Sequence, residues 1–194
     1  MKRVCVFCGS AAGARPAYAA AAADLGDALA ARGIGLVYGG GSVGLMGALA
    51  DAALARGGEV IGVIPGPLAR RERAHAGLHE MHVVDSMHAR KAKMASLVDG
   101  FVALPGGLGT FEETLEILTW SQLGIHRKPV GLLNVAGYWD GLLRMLTHAV
   151  REGFVRREYF ELLLSAETAA DMLDAIAAWT PPPLPGPWLD ASQI

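Results

Sequence analysis

The chain has 194 residues, 52% of them hydrophobic, with 17 Lys and Arg against 19 Asp and Glu for a formal net charge of -2. That length carries one well-buried core rather than two ordinary domains and a linker, and the near-balance of charge gives no general field to gather nucleic acid or an anionic membrane. Apolar residues fall in short runs broken by Gly, Pro and charge, never in a stretch of about 18, so no transmembrane helix is expected; the two cysteines, Cys5 and Cys8, make neither a disulfide framework nor a four-ligand zinc site.

The opening MKRVCVFCGS passes from two basic residues straight into a strand-like pattern instead of a signal-peptide core, so a cytoplasmic protein is expected. Arg3–Phe7 is the first strand, and the spacing of Cys5 from Cys8 points the two thiols to opposite faces, against a redox pair. Ser10, at the strand's end, either adds a hydroxyl to that edge or is an ordinary turn residue. Residues 16–32 read as a helix with Pro16 in the first turn and Gly33 as its stop; its alanine-rich part, 17–23, is good helix rather than low complexity. A strand over 34–38 leads into Gly39-Gly40-Gly41-Ser42-Val43-Gly44-Leu45-Met46-Gly47 and a helix over 45–56 that stops at Gly57. Glycines at such a junction either bring backbone N–H groups onto a phosphate, with Gly40 and Gly41 the candidates, or only let strand and helix pack closely.

After a strand at 60–64 comes the longest irregular stretch, 66–80, rich in Arg and His and a candidate substrate loop. A short strand at 82–84 precedes a helix over 87–98, whose apolar stripe of Met87, Met94 and Leu97 also carries Arg90. A guanidinium there needs either a protein carboxylate or an anionic ligand. The strand 101–104 runs into a second glycine loop, Pro105-Gly106-Gly107-Leu108-Gly109-Thr110, and a helix over 110–123. Thr110 and Glu113 have the spacing of a capping box, which would occupy both side chains at the helix start. Glu113 also shares a face with Ile117 and Trp120, where partial burial would raise its pKa and suit it to acid–base or nucleophilic work. Glu112, Glu116 and Thr119 form the neighbouring stripe, facing either solvent or a pocket. A strand at Val130–Leu133, helices over 140–152 and 168–179, and an extended surface tail from Pro181 to Pro187 complete the chain.

The alternation of short apolar strands with helices describes an α/β fold of three layers, a mostly parallel central sheet flanked by helices, in one domain over 1–180 with 181–194 as a Pro-rich tail. Both glycine loops then lie on one sheet edge. Neither is a Walker A motif and no acidic residue closes the strand after the first, so a mononucleotide or sugar phosphate fits better than a dinucleotide cofactor. The six histidines offer no HExxH and no pairing with Asp or Glu at metal spacing, so neither a metal nor a cofactor is expected.

The run from Pro105 to Glu113 resembles the PGGxGTxxE signature of the Lonely Guy (LOG) cytokinin-activating phosphoribohydrolases, and residues 39–47, 58–65 (GEVIGVIP), 87–91 (MHARK) and 119–134 resemble that family in order and spacing. The resemblance implies a Rossmann-like homodimer that hydrolyses a nucleoside 5′-monophosphate, AMP or an N6-modified adenine ribotide, to free base and ribose 5-phosphate. By the same resemblance Gly106, Gly107, Gly109 and Thr110 match the phosphate-cradling loop. Arg90 and Glu113 match the catalytic pair, and Lys91, Glu72, Glu112 and Thr119 match positions that touch the nucleotide. Similar chains have carried a lysine decarboxylase label, but no local pattern here marks a cofactor-anchoring lysine. Ala11 stands where many relatives have a second serine, and Leu108 where a tyrosine is frequent. The alternative from another functional class is a non-hydrolytic nucleotide or cofactor carrier resembling molybdenum-cofactor carrier proteins; Arg90 and Glu113 together favour the enzyme.

Overall fold

In β1 (Arg3–Phe7), Val4 and Val6 point to one side and Cys5 and Phe7 to the other, and all four are buried. A strand apolar on both faces needs a layer of helices over each. The computed structural model, which describes residues 1–71 and 73–183, has that arrangement. Beside β1 lie β2 (Gly35–Tyr38), β3 (Val60–Pro65) and β4 (Glu80–Val84) on one hand, and β5 (Gly100–Ala103), β6 (Val130–Leu133) and β7 (Leu163–Ala166) on the other. The order is β4-β3-β2-β1-β5-β6-β7, with every ladder parallel and Cys5 registered between Val37 and Phe101.

One core packs α1 (Pro16–Ala31), α2 (Gly44–Ala55) and α8 (Ala169–Ala178) against Val4, Val6, Leu36 and Val102. The opposite core packs Met94 of α4 (Met87–Leu97) and Ile117 and Trp120 of α5 (Leu108–Leu123) against Cys5, Phe7, Val37 and Phe101. Leu142 and Leu143 of α6 (Asp140–Arg151) extend that second layer over Trp139 and Leu132. At the exit of α5, His126 is neutral: burial pushes its pKa down to about 4. Its Nε2 faces the Ile117 carbonyl at 3.0 Å while Nδ1 accepts the Lys128 N–H, so its role is to hold the turn into β6. Among the described residues no helix is long and apolar enough to cross a membrane.

The expected elements recur with these differences, among them β4, which starts at Glu80 rather than His82. The sheet is wholly rather than mostly parallel. The stretch 66–80, expected to be irregular, begins with a short helix, α3 (Gly66–Arg71), entered through Pro67 in its first turn. A four-residue helix, α7 (Arg157–Phe160), and β7 were not expected; both are too short for a period to show, and β7 is an edge strand buried less than its neighbours. Helix α5 starts at Leu108, two residues ahead of expectation. The tail beyond 183 lies outside the described residues.

The strand order places the site. From β1 the chain builds outward to β4, then returns through α4 to lay β5 along β1's free edge. Between the carboxyl ends of β1 and β5 the connections diverge, and in such sheets that crevice is where ligands bind.

The alanine-rich α1 packs closely on α2: a Cβ on Gly26 would stand 2.2 Å from the Leu49 carbonyl oxygen. Gly26→Ala should therefore destabilise the protein by about 1–3 kcal/mol through overpacking, although helix propensity alone favours alanine by about 1 kcal/mol. Gly141→Ala on α6, where a Cβ meets nothing within 4 Å, should follow propensity and stabilise. Denaturant melts of the two variants check both signs.

Candidate active site

A cleft of about 280 Å³ opens between the ends of β1 and β5. Its frame is backbone on backbone. The Gly9 N–H donates to the Pro105 carbonyl (3.1 Å), and the Leu45 N–H at the start of α2 donates to the Gly9 carbonyl (3.1 Å). A Cβ on Gly44 would lie 2.3 Å from the Ser10 carbonyl oxygen, and Gly44 has φ +62°. Three strand–helix junctions thus meet at distances only glycine allows.

The second glycine loop has a different character on its two sides. Gly106 is clamped: a Cβ there would meet Thr110 Oγ1 at 2.1 Å and the Gly9 nitrogen at 2.9 Å. Gly107 and Gly109 line the cleft, and a Cβ on either would meet nothing within 4 Å. Packing does not require glycine at these two positions, and within a helix Gly109 costs about 1 kcal/mol relative to alanine. The space they keep is on the cleft side.

The capping-box expectation does not hold. Gly107 is the N-cap of α5 and no side chain caps the helix, because Thr110 already lies in its first turn. Thr110 and Glu113 are thereby released from the helix start. The first-turn amides of Gly107, Leu108, Gly109 and Thr110, which have no partner within an α-helix, border the cleft. With the partial positive charge of the helix terminus, they give that end of the cleft the donors an anion would need.

In the same cleft, Arg90 is 5% exposed and Glu113, one turn further along α5, is 8% exposed. Ser86 caps α4 by accepting the Ala89 N–H at 3.1 Å, which sets the helix that carries Arg90. The guanidinium donates from Nε to the Val63 carbonyl (3.0 Å) and from Nη2 to the Gly39 carbonyl (3.1 Å), and Nη1 lies 3.9 Å from Glu113 Oε1. The two readings of Arg90, structural pair or ligand binder, thus describe one group: the pair itself lines the cleft.

Of the residues singled out from sequence, the structure brings Ser10, Arg90, Gly107, Gly109, Thr110 and Glu113 to the cleft. Gly40 and Gly41 turn elsewhere. The Gly40 carbonyl accepts the His75 N–H (2.9 Å) and Gly41 bridges Ala74, so the first glycine loop docks the segment after α3 instead of lining the cleft. Gly39, from the same run, lines it instead.

Lys91 is buried and engages Glu112 at 2.5 Å and Glu116 at 2.6 Å. Burial pushes its pKa down, but the hydrogen bonds it donates to the two carboxylates more than offset this and hold it above the usual lysine range. Thr119 is exposed and donates to the Leu115 carbonyl of its own helix. Glu72 lies outside the described residues. Sequence reasoning missed Leu68, Met46 and Cys8 as cleft residues; a helix inside the supposed loop, and a thiol just past its strand, carry no periodic signal. Met94 and Met87 were on Arg90's stripe and could have been followed into the site. Among the described residues no group of three His, Cys, Asp or Glu could hold a metal.

A family model described as "Possible lysine decarboxylase" matches residues 46–176. A protein of Oryza sativa subsp. japonica named as a probable cytokinin riboside 5′-monophosphate phosphoribohydrolase is 53% identical over 94% of this chain and 74% of its own. One of Arabidopsis thaliana named as a cytokinin riboside 5′-monophosphate phosphoribohydrolase is 50% identical over 93% of this chain and 84% of its own. Among solved structures, the molybdenum cofactor binding protein of Rippkaea orientalis superposes with a TM-score of 0.69 over 92% of this chain and 97% of that one, at 24% identity. That likeness shows the shared α/β fold and nothing finer.

A Cβ on Gly39 would lie 2.2 Å from Arg90 Nη2. Gly39→Ala should therefore drive the guanidinium off its carbonyls and destabilise by about 2–3 kcal/mol, the scale of a lost charged hydrogen bond. Gly109→Ala should do the opposite and stabilise by about 0.5–1 kcal/mol. Thermal unfolding of both variants separates the clamped glycine from the open one.

Proposed function

The chain belongs to the LOG family, the cytokinin riboside 5′-monophosphate phosphoribohydrolases, and from that membership we propose that it hydrolyses the N-glycosidic bond of nucleoside 5′-monophosphates. Its substrates in this reading are N6-modified adenine ribotides such as isopentenyl-AMP, and AMP. Its products are the free base, a cytokinin where the adenine is so modified, and ribose 5-phosphate. The observation that carries the reading is the buried Arg90–Glu113 pair lining the same cleft as the N-terminus of α5, which no side chain caps.

The 5′-phosphate occupies the cradle of Gly107, Gly109 and Thr110 amides, with Gly106 behind it and the Ser10 hydroxyl at the rim. Anchored there, the ribose presents its anomeric carbon to Glu113. As the bond from that carbon to the base nitrogen lengthens, its electron pair leaves with the base and positive charge grows on the ribose ring. A carboxylate held in a partly dry site stabilises that charge strongly. Water adds its oxygen to the anomeric carbon and gives up a proton, and the departing base takes one up, so the reaction balances as a hydrolysis. Arg90 holds Glu113 in place and offsets its charge while the site is empty. It stays a cation throughout, since a guanidinium does not give up its proton in proteins.

Among the described residues that line the cleft there is no lysine, and Lys91 is committed to two carboxylates, so the decarboxylase description has no anchoring group to rest on. By family resemblance Lys91, Glu112, Thr119 and Glu72 are the further positions that touch the nucleotide in this reading. Glu113→Gln should keep AMP binding in calorimetry and lose at least about 100-fold in turnover, scored as adenine and ribose 5-phosphate released. Turnover at the wild-type rate would return Glu113 to a structural role.

We extend the proposal to a homodimer. Helix α6 has no fully buried residue, and Met145 on it and Phe154 beyond it are 58% and 88% exposed, an apolar surface that suits a second copy. Light scattering should return twice the 20.3 kDa of one chain; a monomer at micromolar concentration would overturn this part.

A further inference from the structure

The Gly106–Gly107 peptide is held from behind. The Tyr138 hydroxyl donates to the Gly106 carbonyl, and Tyr138 lies outside the cleft that Gly107 lines. The described chain has no cis peptide, and in a trans peptide the carbonyl and the following N–H point in opposite directions. A bond that draws the Gly106 carbonyl away from the cleft therefore turns the Gly107 N–H toward it.

The lock matters because a peptide flanked by two glycines is the easiest kind to turn over. Flipped, it would present a carbonyl oxygen to the cradle in place of an N–H, a repulsive group where an anion is to bind. Gly109 and Thr110 need no such device, since the helix already fixes their amides.

Tyr138 is itself aimed with care. It follows two successive left-handed residues, Ala136 at φ 52° and Gly137 at φ 73°. Alanine rarely adopts that conformation, and such strain persists only where the surroundings over-determine it. Here Asn134 supplies the constraint: its Oδ1 accepts the Trp139 N–H at 2.7 Å and its Nδ2 donates to Asp140 at 2.8 Å. The ring is gripped by Tyr18 (centroids 5.8 Å apart), Trp139 (5.2 Å) and Phe111 (6.3 Å). Rings and turn together leave the hydroxyl one place to go.

We infer that Tyr138 is a positioning residue whose hydroxyl holds the Gly107 N–H toward the cleft as a preset donor for the substrate phosphate. This rests on the phosphate binding at the start of α5, as proposed above. Tyr138→Phe keeps the ring contacts and removes only the hydroxyl. It should weaken ribose 5-phosphate binding in calorimetry about tenfold, about the worth of one hydrogen bond. In AMP hydrolysis KM should rise about tenfold while kcat stays within about twofold, a split that general loosening would not produce.

A second variant covers the case in which phenylalanine disturbs the ring cluster. Replacing Tyr138 with 3,5-difluorotyrosine preserves shape but lowers the phenol pKa toward neutrality, and a phenolate cannot donate. Ribose 5-phosphate affinity should then fall with rising pH across that ionisation, relative to the wild type. Wild-type affinity in both variants overturns the inference while leaving the proposed function intact. A wild-type protein that binds neither AMP nor ribose 5-phosphate overturns the site reading and this inference with it.

Discussion

A guanidinium taken out of water must be met by acceptors on every side, and the burial of Arg90 is the constraint from which the site follows. Its acceptors are the Gly39 carbonyl just past β2 and the Val63 carbonyl within β3, with Glu113 on α5 as its countercharge. The β2–β3 ladder stops at Tyr38 and Gly62, so both carbonyls lie just beyond it, where a guanidinium can be satisfied by them. The pairing ties α4 and α5 together at that point. Gly39 is then fixed as glycine, since any Cβ would stand where the guanidinium must be.

Two kinds of glycine follow from this geometry. Gly9, Gly44 and Gly106 are glycine because backbone or a side chain already fills the space a Cβ would take. Gly107 and Gly109 are glycine although the space is open. The first kind brings three junctions together and makes the cleft narrow. The second leaves the helix start uncovered by side chains, at a cost to helix stability for Gly109, since Gly107 is the N-cap. A site that gives up local stability to expose donors is one where function overrides propensity.

Legibility in the sequence divided along the same line. Strand periodicity placed β1 and β6 with their observed bounds, because strands apolar on both faces leave an unmistakable short run. The stripe through Met87, Arg90 and Met94 marks a charge on a buried face from spacing alone. What could not be read was local competition. Thr110 and Glu113 had the spacing of a cap, but the helix started earlier, since Gly107 could serve as N-cap and leave Leu108 and Gly109 helical. The first glycine run had the composition of a phosphate loop, yet its Gly40 and Gly41 are taken up by the segment through Ala74 and His75. Both outcomes depend on partners distant in sequence or on a boundary two residues away. The part played by Tyr138, 32 residues from Gly106, left no local trace at all.

The distribution of charge on α5 bears most directly on how an anion could be accommodated. Glu112, Glu113 and Glu116 all lie within the first nine of its 16 residues, and a helix start crowded with carboxylates would cancel its own positive end for any incoming dianion. Lys91 reduces that problem: buried, and kept protonated by its partners, it pairs with both Glu112 and Glu116 on the neighbouring face and offsets one of their two negative charges. Arg90 does the same for Glu113. Among the described lining residues Glu113 is then the one carboxylate facing the cleft, with a single cation balancing it and the uncapped amides close by. On the proposed function, an arriving phosphate meets the helix terminus and the guanidinium, and the carboxylate left in the cleft is the group set against the positive charge of a glycosidic cleavage. On that reading adjacent positions 90 and 91 divide the work: one cation offsets part of the charge of the neighbouring acids, and the other steadies the carboxylate of the cleft.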